Sequence, residues 1–221
     1  VVTPEEFVAQ HTAISRAPLV PEVALHLASE ITPIWQATEA WLAEQNIEPP
    51  FWAFAWPGGQ ALARAVLDQP SLVAGKRVLD FAAGCGIAAI AAAQTPDDMG
   101  IDYRTGDYAD LAGQGWDVIL SSLVAHHMSQ DQLTEFLRFM SAEAKSGWFI
   151  NDLHRHEFAY LGYPLLARIM GWHRIVREDG QLSIARSYRP AEWPPILAEA
   201  GIADARVFRA FPFRLCVAKI R

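Results

Sequence analysis

The chain has little cysteine, no long apolar run and no excess of positive charge. Cys85 and Cys216 are its two cysteines in 221 residues. Two thiols this far apart suggest neither a disulfide framework nor a zinc finger, and they point to a reducing, cytoplasmic setting. No apolar stretch approaches the roughly 20 residues of a membrane span, so no membrane partner is expected. Pro4-Glu5-Glu6 falls too early for a secretory leader. With 18 Lys and Arg against 25 Asp and Glu the net charge is −7, which argues against a nucleic-acid backbone as the main partner. No internal repeat is visible. The histidines and acids match no metal-site spacing well, so no metal is expected.

Apolar material for a core is ample. Hydrophobic residues make up 52% of the chain, which suits one large domain or one domain with an added segment. Charge is uneven along it: residues 1–110 hold 5 Lys and Arg against 14 Asp and Glu, and residues 111–221 hold 13 against 11. Such asymmetry marks separate functional faces or segments of different origin.

Thr3-Pro4-Glu5-Glu6 supplies an N-cap, a proline at the first helical position and early acids, which predicts a helix. Apolar spacing of three and four predicts two more helices over 21–30 and 33–44. Residues 1–50 thus form an N-terminal helical extension ended by Pro49-Pro50. The run from Phe51 to Gln60 is aromatic and extended, then broken by Pro57-Gly58-Gly59, and a short helix is expected over 61–67. From residue 77 onward strands and helices alternate. Strands are expected at 77–81, 101–105, 116–121 and 148–153, and helices at 85–94, 131–144, 158–170 and 192–200. An antiparallel pair at 205–211 and 214–220 closes the chain. Alternation with short connections predicts an α/β domain over 51–221, its sheet mostly parallel with a C-terminal antiparallel pair.

Val78-Leu79-Asp80-Phe81-Ala82-Ala83-Gly84-Cys85-Gly86 carries the strongest chemical signal. A strand ends near an acid, Asp80, and a loop of small residues runs straight into a helix. Small side chains let backbone N–H groups approach a ligand closely, and a helix start favours negative charge. Ala82 stands where such loops often carry glycine, and it fits only with a negative φ. A tight strand–helix turn without a ligand is the plainer alternative.

This stretch resembles motif I of the class I S-adenosylmethionine-dependent methyltransferases. The resemblance implies a Rossmann-like sheet, with S-adenosyl-L-methionine as cofactor, held by Asp80, Ala82, Gly84 and Gly86, and with Ser121 at a neighbouring strand end. Residues 1–94 resemble a narrower group, the relatives of the electron transfer flavoprotein beta-subunit lysine methyltransferase. Phe51-Trp52-Ala53-Phe54-Ala55-Trp56-Pro57-Gly58-Gly59-Gln60-Ala61-Leu62-Ala63-Arg64 carries that resemblance with Gly84-Cys85-Gly86, and it places Trp56 and Gly58 beside the cofactor. Residues 95–221 instead resemble small-molecule methyltransferases of the polyketide and quinone type, through Gly106-Asp107, through Trp116-Asp117-Val118-Ile119-Leu120-Ser121-Ser122-Leu123-Val124-Ala125-His126-His127-Met128, and through Asn151-Asp152-Leu153-His154-Arg155-His156. The chain therefore resembles a mosaic joined near 94/95.

At that join one strand–helix unit is absent. In the family the second strand ends in an acid that binds the ribose. Here Gln94-Thr95-Pro96-Asp97-Asp98-Met99-Gly100 contains no apolar strand. The expected repair is that strand 101–105 pairs directly with 77–81, so that Asp107 ends a strand beside the glycine loop and replaces the lost acid. Asp107 follows Gly84 by 23 residues, near the ~20-residue offset of a ribose-binding acid; a solvated turn residue is the alternative.

Four histidines, His126, His127, His154 and His156, follow two strands. In an open α/β sheet those ends face the ligand crevice. One of them can act as general base for a hydroxyl acceptor. His127 is favoured over His126, and a regular backbone would not turn both inward. Tyr160, Tyr163 and Trp172 form either a lid or ordinary packing. Three functions follow: a methyltransferase acting on a small-molecule hydroxyl or phenol, a protein-lysine methyltransferase with a protein partner, or a non-catalytic remnant of the fold.

Overall fold

The computed structural model describes residues 3–28, 51–93, 100–102, 104–169 and 174–221. Helix α1 (Pro4–His11) begins as expected. Thr3 and Glu6 form a capping box, and proline fills the first turn. The chain then turns into a hairpin of β1 (Ala13–Ala17) and β2 (Val20–Leu27). This overturns the helix expected over 21–30 as far as residue 28; residues 29 and 30 lie outside the described residues. Val23, Leu25 and Leu27 alternate with Ala24 and His26, and Val23 and Leu25 are buried. That is the period of a strand, although the same apolar residues also fit a helix over a short window. The helix expected over 33–44 lies outside the described residues.

Phe51–Ala53 is a 3-10 turn rather than an extended run. Helix α2 (Pro57–Asp68) starts at the proline where a break was expected, four residues before the predicted start. Proline at a first helical position loses no hydrogen bond, because that N–H has no partner within the helix. Next come β3 (Val78–Phe81), α3 (Ile87–Ala93), β4 (Val118–Ser122), α4 (Gln130–Glu143) and β5 (Gly147–Leu153). They are followed by α5 (Glu157–Ile169), α6 (Arg174–Arg186), α7 (Trp193–Glu199), β6 (Arg206–Ala210) and β7 (Arg214–Ile220).

The main sheet has the order β3-β4-β5-β7-β6. The first three strands are parallel, and β7 runs antiparallel to both β5 and β6. The mostly parallel sheet with an antiparallel C-terminal pair is thus as expected, and among the described residues no further strand flanks β3. Successive strand residues face opposite layers. Ile119, Trp148, Ile150, Leu215 and Val217 face α4 and α7, burying Leu133, Phe136, Leu137 and Trp193. Leu120 faces the other layer, where α2 and α3 supply Leu62, Val66, Ile87 and Ala91, and the hairpin adds Val20 and Val23. The hairpin is part of that core.

The repair expected at the join does not occur. Residues 101, 102, 104 and 105 form no strand, and β4 is the partner of β3 among the described residues. Asp102 pairs with Arg104, which also reaches Gln114. The segment carries too few apolar side chains to bury a face: Ile101 stays exposed. The apolar anchor comes later. Tyr108 packs edge-on against Phe81 and against Phe136 and Phe139 of α4.

Candidate active site

The end of β3 passes into a loop with three residues at positive φ: Ala82 at 54°, Gly84 at 55° and Gly86 at 72°. The negative φ expected for Ala82 is therefore wrong. A residue with a Cβ pays about 1–2 kcal/mol in this region, so the loop holds strain that glycine would relieve. Gly86 N–H donates to Ala83 C=O at 2.8 Å and closes the turn. A Cβ placed on Gly84 would meet no atom of a described residue within 4 Å, so among these residues the loop is open on that side. Below it, Asp80 accepts the Ala89 N–H at 3.2 Å. Burial pushes the Asp80 carboxyl up to about 7, opposed by that one hydrogen bond. A carboxyl held this way favours a cation nearby.

Helix α2 is pressed against the ends of β4 and β5, and Gly58 makes this possible. A Cβ there would lie 2.5 Å from Ser122 Oγ and 2.7 Å from Leu123 Cγ. Buried Asn151 donates from Nδ2 to Gly58 C=O at 3.0 Å. Gln60 ties the layers together, accepting from Leu19 N–H and donating to Ala55 C=O. Trp56 donates from Nε1 to Phe51 C=O and its ring lies against Phe51 and Phe54. Ser121 is buried on β4, and its Oγ has no hydrogen-bond partner among the described residues. Leu123, just past the strand, has φ of 61°, a second strained residue at the carboxyl end of the sheet.

The 3-10 turn Ala125–His127 separates the two adjacent histidines. His126 is buried, with Nδ1 at 2.6 Å from Asp152 Oδ1 and its backbone N–H donating to Asp152 Oδ2 at 2.9 Å. Asp152 Oδ1 also accepts the Leu153 N–H at 2.7 Å. His127 stays exposed, its ring centroid 4.1 Å from that of His126. Partial burial, and then the neighbouring His126, lower its pKa from the ordinary value. No hydrogen bond holds the His127 ring among the described residues. The orienting acid belongs to His126, where sequence reasoning favoured His127.

His154 is buried, and burial lowers its pKa. His156 stacks with Phe158 and lies against Phe213. Among the described residues no group of three His, Cys, Asp or Glu side chains is placed to hold a metal ion, and no helix is long and apolar enough to cross a membrane. Asp107 does not end a strand. It caps the 3-10 turn Tyr108–Leu111, accepting from Ala109 N–H at 3.0 Å, and it is exposed. Through Tyr108 it still stands beside Phe81, the last residue of β3. Tyr163 packs over Gly180 and joins α5 to α6, and burial pushes its hydroxyl up to about 12. Tyr160 is exposed, and Trp172 lies outside the described residues.

The comparisons agree with this architecture. No family model matches the chain. A Xenopus laevis electron transfer flavoprotein beta subunit lysine methyltransferase is 48% identical over 90 residues, which is 40% of this chain and 35% of that protein. The Caenorhabditis elegans homolog is 42% identical over 83 residues, 38% of this chain and 33% of that protein. The chain thus spans about a third of the length of the curated relatives it matches. Among solved structures, a proposed O-methyltransferase of Nostoc punctiforme superposes with a TM-score of 0.53 at 16% identity, covering 79% of this chain and 61% of that one. A SAM-dependent methyltransferase of Aquifex aeolicus gives 0.51 at 15% identity, covering 82% of this chain and 97% of that one. The fold is the Rossmann-like fold of those methyltransferases.

Proposed function

We propose that the protein is an S-adenosylmethionine-dependent methyltransferase that acts on a hydroxyl or phenol of a small molecule. The buried His126–Asp152 pair at the carboxyl end of the sheet carries this reading. With Nδ1–H donated to Asp152, the His126 ring is fixed in one tautomer, and its Nε2 is the atom that accepts the proton of an acceptor hydroxyl. His127 is the exposed alternative.

The methionine end of S-adenosylmethionine fits the residues present. Gly84 leaves open space among the described residues, and Asp80 gains from an ammonium beside it. Gly58 and Ser121 border the adjoining strand end, with Trp56 in the aromatic run that leads into α2. The sugar end fits less well, because among the described residues no acid ends a strand next to β3; Asp107, beside the Tyr108–Phe81 contact, is a carboxylate on that side. The cofactor supplies a methyl group on a sulfonium. The chain's own task is to orient the acceptor, exclude water and take its proton.

A protein-lysine acceptor is the second reading, supported by the names of the curated relatives. Against it, Ser122-Leu123-Val124-Ala125-His126-His127 follows β4 where the lysine-methylating group would show an acidic motif with an aromatic residue. Calorimetric titration with S-adenosylmethionine tests the common premise: absence of heat at millimolar cofactor leaves a non-catalytic fold. Tritiated methyl transfer into the small-molecule or the protein fraction of a lysate then decides between acceptors.

A further inference from the structure

Arg214 opens β7 opposite Leu153, the last residue of β5, and Ala210 of β6. It therefore sits at the carboxyl end of the parallel strands, where ligands of open α/β sheets bind. It is 7% exposed. Among the described residues its buried NH1 has no hydrogen-bond partner, and the rest of its side chain makes no hydrogen bond to them either.

Strand alternation puts it on the face that Cys216 and Asn151 share. There the Cys216 thiol meets Asn151 Oδ1, and Asn151 reaches Gly58 of α2. Asp152 is the carboxylate that acts on it electrostatically, but its oxygens already receive two contacts from His126 and one from Leu153. By the same alternation Asp152 faces the opposite layer. An arginine kept in such a place is expensive for the apo fold, because desolvating a guanidinium without pairing it is among the largest penalties a core can carry. Its neighbours across the strands, Leu153 and Ala210, would accept an apolar side chain.

We infer that Arg214 is an anion receptor at the carboxyl end of the sheet and takes the carboxylate of a small organic acid. A guanidinium presents a planar fork that matches a carboxylate in two parallel hydrogen bonds. One positive charge balances a carboxylate, whereas a phosphate dianion would keep an uncompensated charge. The inference deepens the methyltransferase reading by naming an acceptor class, yet it is measured without cofactor, so its failure and that of methyl transfer are separable.

The experiment is calorimetric titration of the full chain with benzoate, benzamide and phenyl phosphate, repeated with Arg214→Lys and Arg214→Met. Benzoate is expected to bind at least tenfold tighter than either other probe. The lysine variant should lose about tenfold and the methionine variant all of the preference. Arg214→Met should also melt higher than the parent, since it removes an unpaired buried charge. Equal affinity for benzoate and benzamide, preference for phenyl phosphate, or unchanged benzoate binding in Arg214→Met would each overturn the assignment. So would a lower melting temperature or loss of folding in Arg214→Met, since either would show that the guanidinium holds the fold together.

Discussion

Replacing Asp80 by asparagine should make the ligand-free protein more stable above neutral pH. The carboxyl rises from 3.8 to about 7 on folding, a shift of about three units worth roughly 4 kcal/mol at 1.36 kcal/mol per unit. In the unfolded chain Asp80 gives up its proton near 3.8, whereas the folded chain keeps it to about 7. Between those values the folded state holds more protons, so stability falls as pH rises, and above about 7 the loss is complete. From pH 5 to pH 8 this amounts to roughly 3 kcal/mol, as an upper bound. Asparagine keeps an oxygen for the Ala89 N–H and carries no charge, so Asp80→Asn should lack this slope. Urea unfolding of both proteins at pH 5, 6, 7 and 8 measures the difference directly. Saturating S-adenosylmethionine should flatten the slope of the parent, because its ammonium would restore the carboxylate. A parent that is as stable at pH 8 as at pH 5, relative to the variant, would show that the carboxyl is not desolvated, and the cation-seeking role would go with it.

Other substitutions address separate parts of the site. Ala82→Gly should raise stability by about 0.5–1 kcal/mol, since the relief of left-handed strain exceeds the extra entropy of glycine; a denaturation midpoint that falls would contradict the φ of 54°. Gly58→Ala should cost about 1–3 kcal/mol by driving α2 off Ser122 and Leu123, and the same melts report it. Asp152→Asn should lower kcat about 100-fold with KM little changed, because the His126 tautomer is no longer fixed; unchanged kcat would transfer the base role to His127. Asp107→Ala should weaken S-adenosylmethionine about tenfold, the loss of one charge-assisted hydrogen bond; unchanged affinity measured by titration would leave Asp107 as a turn cap alone.

What the sequence reveals here follows the range over which each constraint acts. The glycine loop and the strand before it are local: a short strand, an acid and a run of small residues lie within a dozen positions and appear where expected, although the helix begins two residues late, at Ile87, and Ala82 takes a positive φ. The terminal strand β7 matches its expected limits because its pattern is continuous. By contrast β2 was misjudged, since Val23, Leu25 and Leu27 satisfy two periods at once and only the packing against Leu62 and Ile87 chooses between them. Helix α6 was missed because Gly180 interrupts a charged pattern, and its reason for being there is the ring of Tyr163 from another helix. The pairing of His126 with Asp152 joins the turn after β4 to strand β5, so composition around either residue cannot distinguish it from His127. The burial of Arg214 is hidden in the sequence for a related reason. An arginine at a strand start reads as a solvated end, and only the closing of β7 against β5 turns it into a buried charge. The same logic bears on the missing strand–helix unit. Parallel β3 lies directly against β4, so the two strands that carry Asp80 and Ser121 keep their neighbour relation without it. On the proposed function the loss would fall beside the cofactor's sugar, whereas β4, β5 and β7, at whose ends the acceptor is proposed to bind, stay neighbours in the sheet.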